Sequence, residues 1–147
     1  MGTRHLIAVM KDGQYPVAQY GQWDGYPNGQ GTTVLDFLKN MDRNLFLENL
    51  AKIYTPNQEQ INEMNAELKR RHCECGDLYP SLSRDTGGKI LQLIQDSKLP
   101  VPIRADISFA AESVMCEWAY VVDFDKNTFE VFSGFNHSPL NEDDRFF

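Results

Sequence analysis

One stretch of this chain concentrates groups that could do chemistry: Gln19-Tyr20-Gly21-Gln22-Trp23-Asp24-Gly25-Tyr26-Pro27-Asn28-Gly29-Gln30-Gly31. Tyr20, Trp23 and Tyr26 supply flat faces for stacking, and Gln22, Asp24 and Gln30 supply hydrogen-bonding groups. The stretch opens onto a helix start, where free backbone N–H groups can hold an anion. Arg4 would add a guanidinium for anionic groups, and Asp24 would accept hydrogen bonds from a ligand or orient Arg4. Such a set suits a small polar ligand such as a nucleotide. The same residues also admit a structural reading, in which the glycines serve a tight turn, Trp23 and Tyr26 plug the core and Asp24 caps local N–H groups. The spacing matches neither a Walker loop nor the dinucleotide fingerprint, so no cofactor is implied.

Other constellations carry less. His72-Cys73-Glu74-Cys75 holds three soft ligands and could be half of a zinc site completed by Cys116 or His137, but it has no matching second pair. Ordinary thiols in a loop are the expectation, and no metal is assigned. Asp123-Phe124-Asp125-Lys126-Asn127 begins like a calcium loop, yet Thr128 stands where glycine is needed and Gly134 where the bidentate Glu belongs. His5, His72 and His137 are scattered and no Gly-x-Ser-x-Gly elbow occurs, so a serine triad has no local support. A Cys/His pair remains open, because such partners are often far apart in the chain.

The elements that must position these groups are legible from turn residues and periodicity. Arg4 to Met10 and Tyr15 to Gly21 read as strands of a hairpin around Asp12-Gly13. After the glycine-rich loop, Thr32 or Thr33 is the expected cap of a helix reaching Asn40. Asp42 caps a second helix with Phe46, Leu50 and Ile53 at helical spacing. Thr55-Pro56 marks a third, whose Ile61, Met64 and Leu68 form one face. Glu59, Glu63 and Glu67 form a solvated stripe on it, ending in Lys69-Arg70-Arg71. Residues 72–83 read as an irregular connection. A fourth helix follows Ser83-Arg84-Asp85-Thr86, turning Ile90, Leu91, Leu93 and Ile94 inward. Val101-Pro102-Ile103 suggests an edge strand and Phe109 to Val114 a short helix. Cys116 to Phe124 and Thr128 to Phe132 form a second hairpin, and residues 137–147 read as a loose tail. Hairpins at both ends with about four helices between them predict a single α+β domain over residues 1–147, an antiparallel sheet covered by helices.

Composition bounds the rest. The 147-residue chain is 41% hydrophobic and 12% aromatic, the profile of one packed domain. Its formal net charge of −7 argues against binding a nucleic-acid backbone, which requires clustered Lys and Arg. No apolar run approaches a membrane span or a signal peptide, and the three cysteines make no disulfide framework, so a cytoplasmic protein is expected.

Gly2-Thr3-Arg4-His5-Leu6-Ile7-Ala8-Val9 and the Gln19 to Gly31 segment, with Leu82-Ser83-Arg84-Asp85-Thr86-Gly87 and the C-terminal hairpin, resemble a small group of microbial and phage-type proteins with no established activity. The resemblance implies a shared fold. Its phage link implies an anti-defence role, by sequestering a host signalling nucleotide or blocking a host protein. Met1-Gly2-Thr3 followed by a strand and a turn at Asp12-Gly13 is also similar to N-terminal-nucleophile hydrolases, although Gly2 stands where their nucleophilic cysteine belongs. That likeness implies catalysis only if Thr3 became the terminus. Three readings therefore stand: a non-enzymatic binding module built on Arg4, Tyr20, Gln22, Trp23, Asp24, Tyr26 and Gln30, with a homo-oligomer as one way to assemble its pocket; a hydrolase using Thr3; and an acidic inhibitor that binds a host protein through its helix face.

Overall fold

The structure is a computed structural model that describes residues 2–104 and 116–134. Strands β1 (His5–Lys11) and β2 (Gln14–Gly21) pair antiparallel, with Ala8 opposite Ala18. Their turn needs two residues at positive φ. Asp12 and Gly13 supply them at 55° and 75°, the residue types that tolerate this region best. A second hairpin joins β3 (Trp118–Asp123) to β4 (Thr128–Ser133). Its turn is held by the Asp123 carboxylate, which accepts the N–H groups of Asp125 at 2.9 Å and Lys126 at 3.0 Å.

The four strands lie in the order β2-β1-β3-β4. The α+β architecture and the two terminal hairpins agree with the sequence. The sheet, however, is mixed: β1 and β3 run parallel at its centre, with Ile7 opposite Tyr120. A parallel pair needs a long crossover, which the helical middle of the chain provides. This alignment puts both hairpin turns at one end of the sheet, where the Asp125 carboxylate accepts the N–H groups of Asp12 at 2.8 Å and Gly13 at 2.9 Å. Thr3, His5 and Gly21 lie at the other end.

Among the described residues five α-helices lie in the crossover: α1 (Thr32–Asn40), α2 (Arg43–Leu50), α3 (Gln58–Arg71), the four-residue α4 (Cys75–Leu78) and α5 (Ile90–Asp96). The inward faces of α1, α2 and α5 bring Val34, Phe37, Phe46, Leu50, Ile90 and Ile94 onto Ile7, Val9, Val17, Tyr120 and Val122 of the sheet. Phe46 sits between Phe37 and Phe124, its ring centre 5.3 Å and 5.6 Å from theirs. Each such fully buried side chain contributes about 1.5–3 kcal/mol. A smaller cluster of Leu6, Ala8, Ala18, Cys116, Ala119 and Val121 occupies the opposite face of the sheet. In contrast, α3 buries no residue fully.

Several boundaries differ from expectation. Neither Thr32 nor Thr33 caps α1, because Pro27–Gly31 already coils into one wide helical turn that runs straight into it. The two hydroxyls instead donate backwards to the carbonyls of Pro27 and Gly29. Helix α3 begins two residues after the Thr55-Pro56 start, because Asn57 and Gln60 form a reciprocal capping box that a lone Thr does not match. The segment expected to be irregular contains α4 and a short turn at Pro80–Leu82. Val101-Pro102-Ile103 makes a single bridge to Tyr54 rather than a strand; Pro102 has no N–H to extend a ladder. Asp42 caps α2 as predicted, accepting the Leu45 N–H at 3.1 Å. The predicted helix over Phe109 to Val114 and the tail lie outside the described residues.

Candidate functional site

At the end of the sheet away from the hairpin turns, the chain leaves β2 and crosses over the start of β1. Gly25 is the fixed point of this crossing. Its N–H donates to the Thr3 carbonyl at 3.1 Å and its carbonyl accepts the Tyr120 hydroxyl at 2.6 Å. A side chain there would lie 2.6 Å from the Thr3 oxygen, so only glycine fits. Burial pushes the Tyr120 phenol well above its ordinary range, which keeps it protonated as the donor.

The rest of the loop is fastened to the Ser83–Gly88 segment. Gln22 N–H donates to Arg84 O at 2.9 Å, the Trp23 indole N–H to Asp85 Oδ1 at 2.6 Å, and the Gly88 N–H to Gln30 Oε1 at 2.7 Å. Gln30 also spans the loop itself, its Nε2 donating to the Trp23 carbonyl at 3.1 Å and its N–H to the Asp24 carbonyl at 2.8 Å. Asp24 adopts a φ of 55°. Trp23 is 44% exposed and Tyr26 53%. Neither plugs the core, contrary to the structural reading of this segment.

A cleft of about 440 Å³ opens beside these rings, lined by Trp23, Asp24, Tyr26, Asn28, Gln30 and Lys89 among others. Four of the seven sequence-predicted residues therefore meet here. Tyr20, Gln22 and Arg4 are not part of this wall. The Tyr20 hydroxyl donates to Gln22 Oε1, and the backbone of Arg4 exchanges hydrogen bonds with Glu117. The cation at the cleft is Lys89, and Asn28, Asp85 and Thr86 join it. Lys89 was missed because it follows Gly87 and Gly88 as an unremarkable first-turn residue; the tertiary bond from Gly88 to Gln30 brings it near the loop.

Beneath the loop lies His5, 0% exposed. Its ring rests against Gly21, where any side chain would collide with it. Nδ1 lies 3.4 Å from the Thr3 carbonyl, while Nε2 is the one buried side-chain nitrogen or oxygen among the described residues without a hydrogen-bond partner. Desolvation lowers its pKa below the usual histidine range, only partly offset by the Thr3 carbonyl and the Asp24 charge. The imidazole is neutral at neutral pH.

Other sequence candidates fall elsewhere. Thr3 is 7% exposed, beneath the Gly25 bond. Glu59 and Glu63 face outward on α3, while Glu67 pairs with Arg70 and Arg71. His72 ends α3 at a φ of 53°, Cys73 Sγ donates to Arg71 O, and Cys75 Sγ faces Tyr79 O. Among the described residues no three His, Cys, Asp or Glu side chains group as a metal ion requires; His137 lies outside them. No described helix is long and apolar enough to cross a membrane. No protein-family model matches the chain, and no curated protein or solved structure matches it.

Proposed function

We propose that this protein is a non-enzymatic binding module for a small polar, nucleotide-like ligand, seated in the cleft beside Trp23 and Tyr26. The observation that carries the reading is two large aromatic rings left exposed at the rim of a polar cleft, on a loop bonded at nearly every turn to the rest of the fold. Exposed rings on a rigid loop lose little entropy when a flat ligand stacks on them. Within the same wall, Asp24 offers acceptors, Asn28 both donors and acceptors, and Lys89 a positive charge. A nucleobase with its mixed hydrogen-bonding edge matches that set better than a bare anion or an aliphatic ligand does.

On this reading the anti-defence role implied by the resemblance would be sequestration of a nucleotide rather than its conversion. The hydrolase reading needs Thr3, which is buried. The acidic-inhibitor reading rests on α3, whose carboxylates are in part already paired.

The test is calorimetric titration of the intact protein with a panel of nucleosides and mononucleotides, with tryptophan fluorescence in parallel. A base stacked on an aromatic side chain is worth about 1–3 kcal/mol, so Trp23→Ala and Tyr26→Ala should each weaken binding roughly fivefold to a hundredfold. Binding that ignores both substitutions would refute the site.

A further inference from the structure

The Ser83–Thr86 segment forms a wall for a second cleft as well as the first, and Asp85 lines both. This second cavity, about 540 Å³, lies beside β2, the edge strand of the sheet, and is bordered by Gln19, Ser83, Arg84, Cys75 and Arg104. We infer that it is a binding site for a small phosphate group, held between the guanidinium groups of Arg84 and Arg104.

Several of the wall's polar groups are already engaged inside the protein. Gln19 Nε2 donates to the Ser83 carbonyl at 3.1 Å, and Ser83 Oγ accepts the Asp85 N–H at 3.1 Å. The Asp85 carboxylate takes the Trp23 indole N–H at 2.6 Å, and the Tyr20 hydroxyl bonds to Gln22. Arg84 and Arg104 are the exception. Among the described residues neither guanidinium makes an ion pair or a hydrogen bond, although the chain carries 21 acidic residues against 14 basic ones. Two cations left unpaired at one cleft in an acidic protein repel each other. A ligand that accepts from both removes that repulsion and satisfies their donors.

The backbone presents them firmly. The Arg84 carbonyl accepts the Gln22 N–H at 2.9 Å, and Ile103, next to Arg104, donates its N–H to Tyr54 O at 2.8 Å. Guanidinium forks match the tetrahedral oxygens of phosphate in a way that a point charge does not. Arg104 is also close enough to Cys75 to oppose the rise in thiol pKa that burial causes there, so its charge reaches into the cavity. Glu74 and Asp85 in the same wall form no ion pair with the two arginines and would repel a long polyanion, which limits the site to a compact anion that engages both guanidinium groups.

The proposal is tested by NMR of arginine side-chain Nε–H groups in the full chain, titrated with inorganic phosphate in phosphate-free buffer and with sodium chloride at equal ionic strength. Saturable shifts at Arg84 and Arg104 with phosphate, absent with chloride, are expected. Arg84→Gln and Arg104→Gln should each weaken binding about tenfold or more. Both side chains are exposed, and an unchanged amide spectrum confirms that each variant is folded. Shifts that chloride reproduces, or phosphate binding that survives the double substitution, would overturn the site.

A Trp23→Ala, Tyr26→Ala variant should still bind phosphate, which separates this site from the aromatic cleft. Adenosine monophosphate distinguishes the source of the group. Tighter binding than phosphate, lost in the Trp23→Ala variant, assigns the phosphoryl group of a nucleotide, whereas equal binding assigns the free anion.

Discussion

At the scale of single residues, the buried His5 ties the stability of the fold to pH. Its pKa is lowered in the folded protein, while in the unfolded chain it titrates near 6.5. Between those values the unfolded state holds a proton that the folded state does not. Stability from this group is therefore complete above about pH 6.5 and falls as the pH drops towards the folded pKa. Urea denaturation midpoints at several pH values should show His5→Asn with a shallower dependence than the wild type, by up to about 1.4 kcal/mol per pH unit. Equal slopes would mean that the folded ring ionises as freely as the unfolded one. Trp23, Asp24, Tyr26 and Gln30 stood out in the sequence because rings, amides and glycines crowd into one short segment, while Arg4, Tyr20 and Gln22, named with them, fall outside the cleft wall. The sequence could not indicate Lys89, Arg84 or Arg104 as partners of that loop. Lys89 and Arg84 come near it through Gln22, Trp23 and Gln30 bonding across to residues far along the chain, and Arg104 lines the neighbouring cavity from a segment held by the Ile103–Tyr54 bond.

At the scale of elements, α3 depends on its own ends more than on its neighbours. With no fully buried side chain, it gains little from packing, and helical stability in proteins comes mainly from a buried face. Its Asn57–Gln60 capping box therefore carries unusual weight. Asn57→Ala should remove about 0.5–2 kcal/mol, read as faster amide hydrogen exchange in α3 while the strands remain protected. Uniformly faster exchange would show that α3 is coupled to the global transition instead. The strands and helices were readable because Asp12-Gly13 and the Phe46, Ile90 and Ile94 periods are local signals. The α1 start was less readable: the wide turn at Pro27–Gly31 runs straight into the helix, so Thr32 is already helical and its hydroxyl donates back to Pro27 O instead of capping. Likewise nothing local states that β1 meets β3 in parallel, since that pairing is decided by which faces the crossover helices bury.

At the scale of the whole molecule, the two hairpins sit side by side, and their shared end is clamped by Asp125 against Asp12 and Gly13. In the connection between them, Leu99 just after α5 is the most exposed large hydrophobic residue among the described residues, 77% accessible. Beyond it the chain is gathered in again through Val101 and Ile103, both buried and bonded to Tyr54. The first fragment of a chain divided at that point would hold β1, β2 and the five described helices. The second would hold β3 and β4, which complete the sheet. Residues 1–98 and 99–147, co-expressed as separate polypeptides, should co-purify as a one-to-one complex by size-exclusion chromatography and separate in urea. Fragments that never associate would show that chain continuity at Leu99 is needed for the sheet to close. Association would make the protein divisible into complementary halves, so that reconstitution of the sheet itself could report when two fused partners meet.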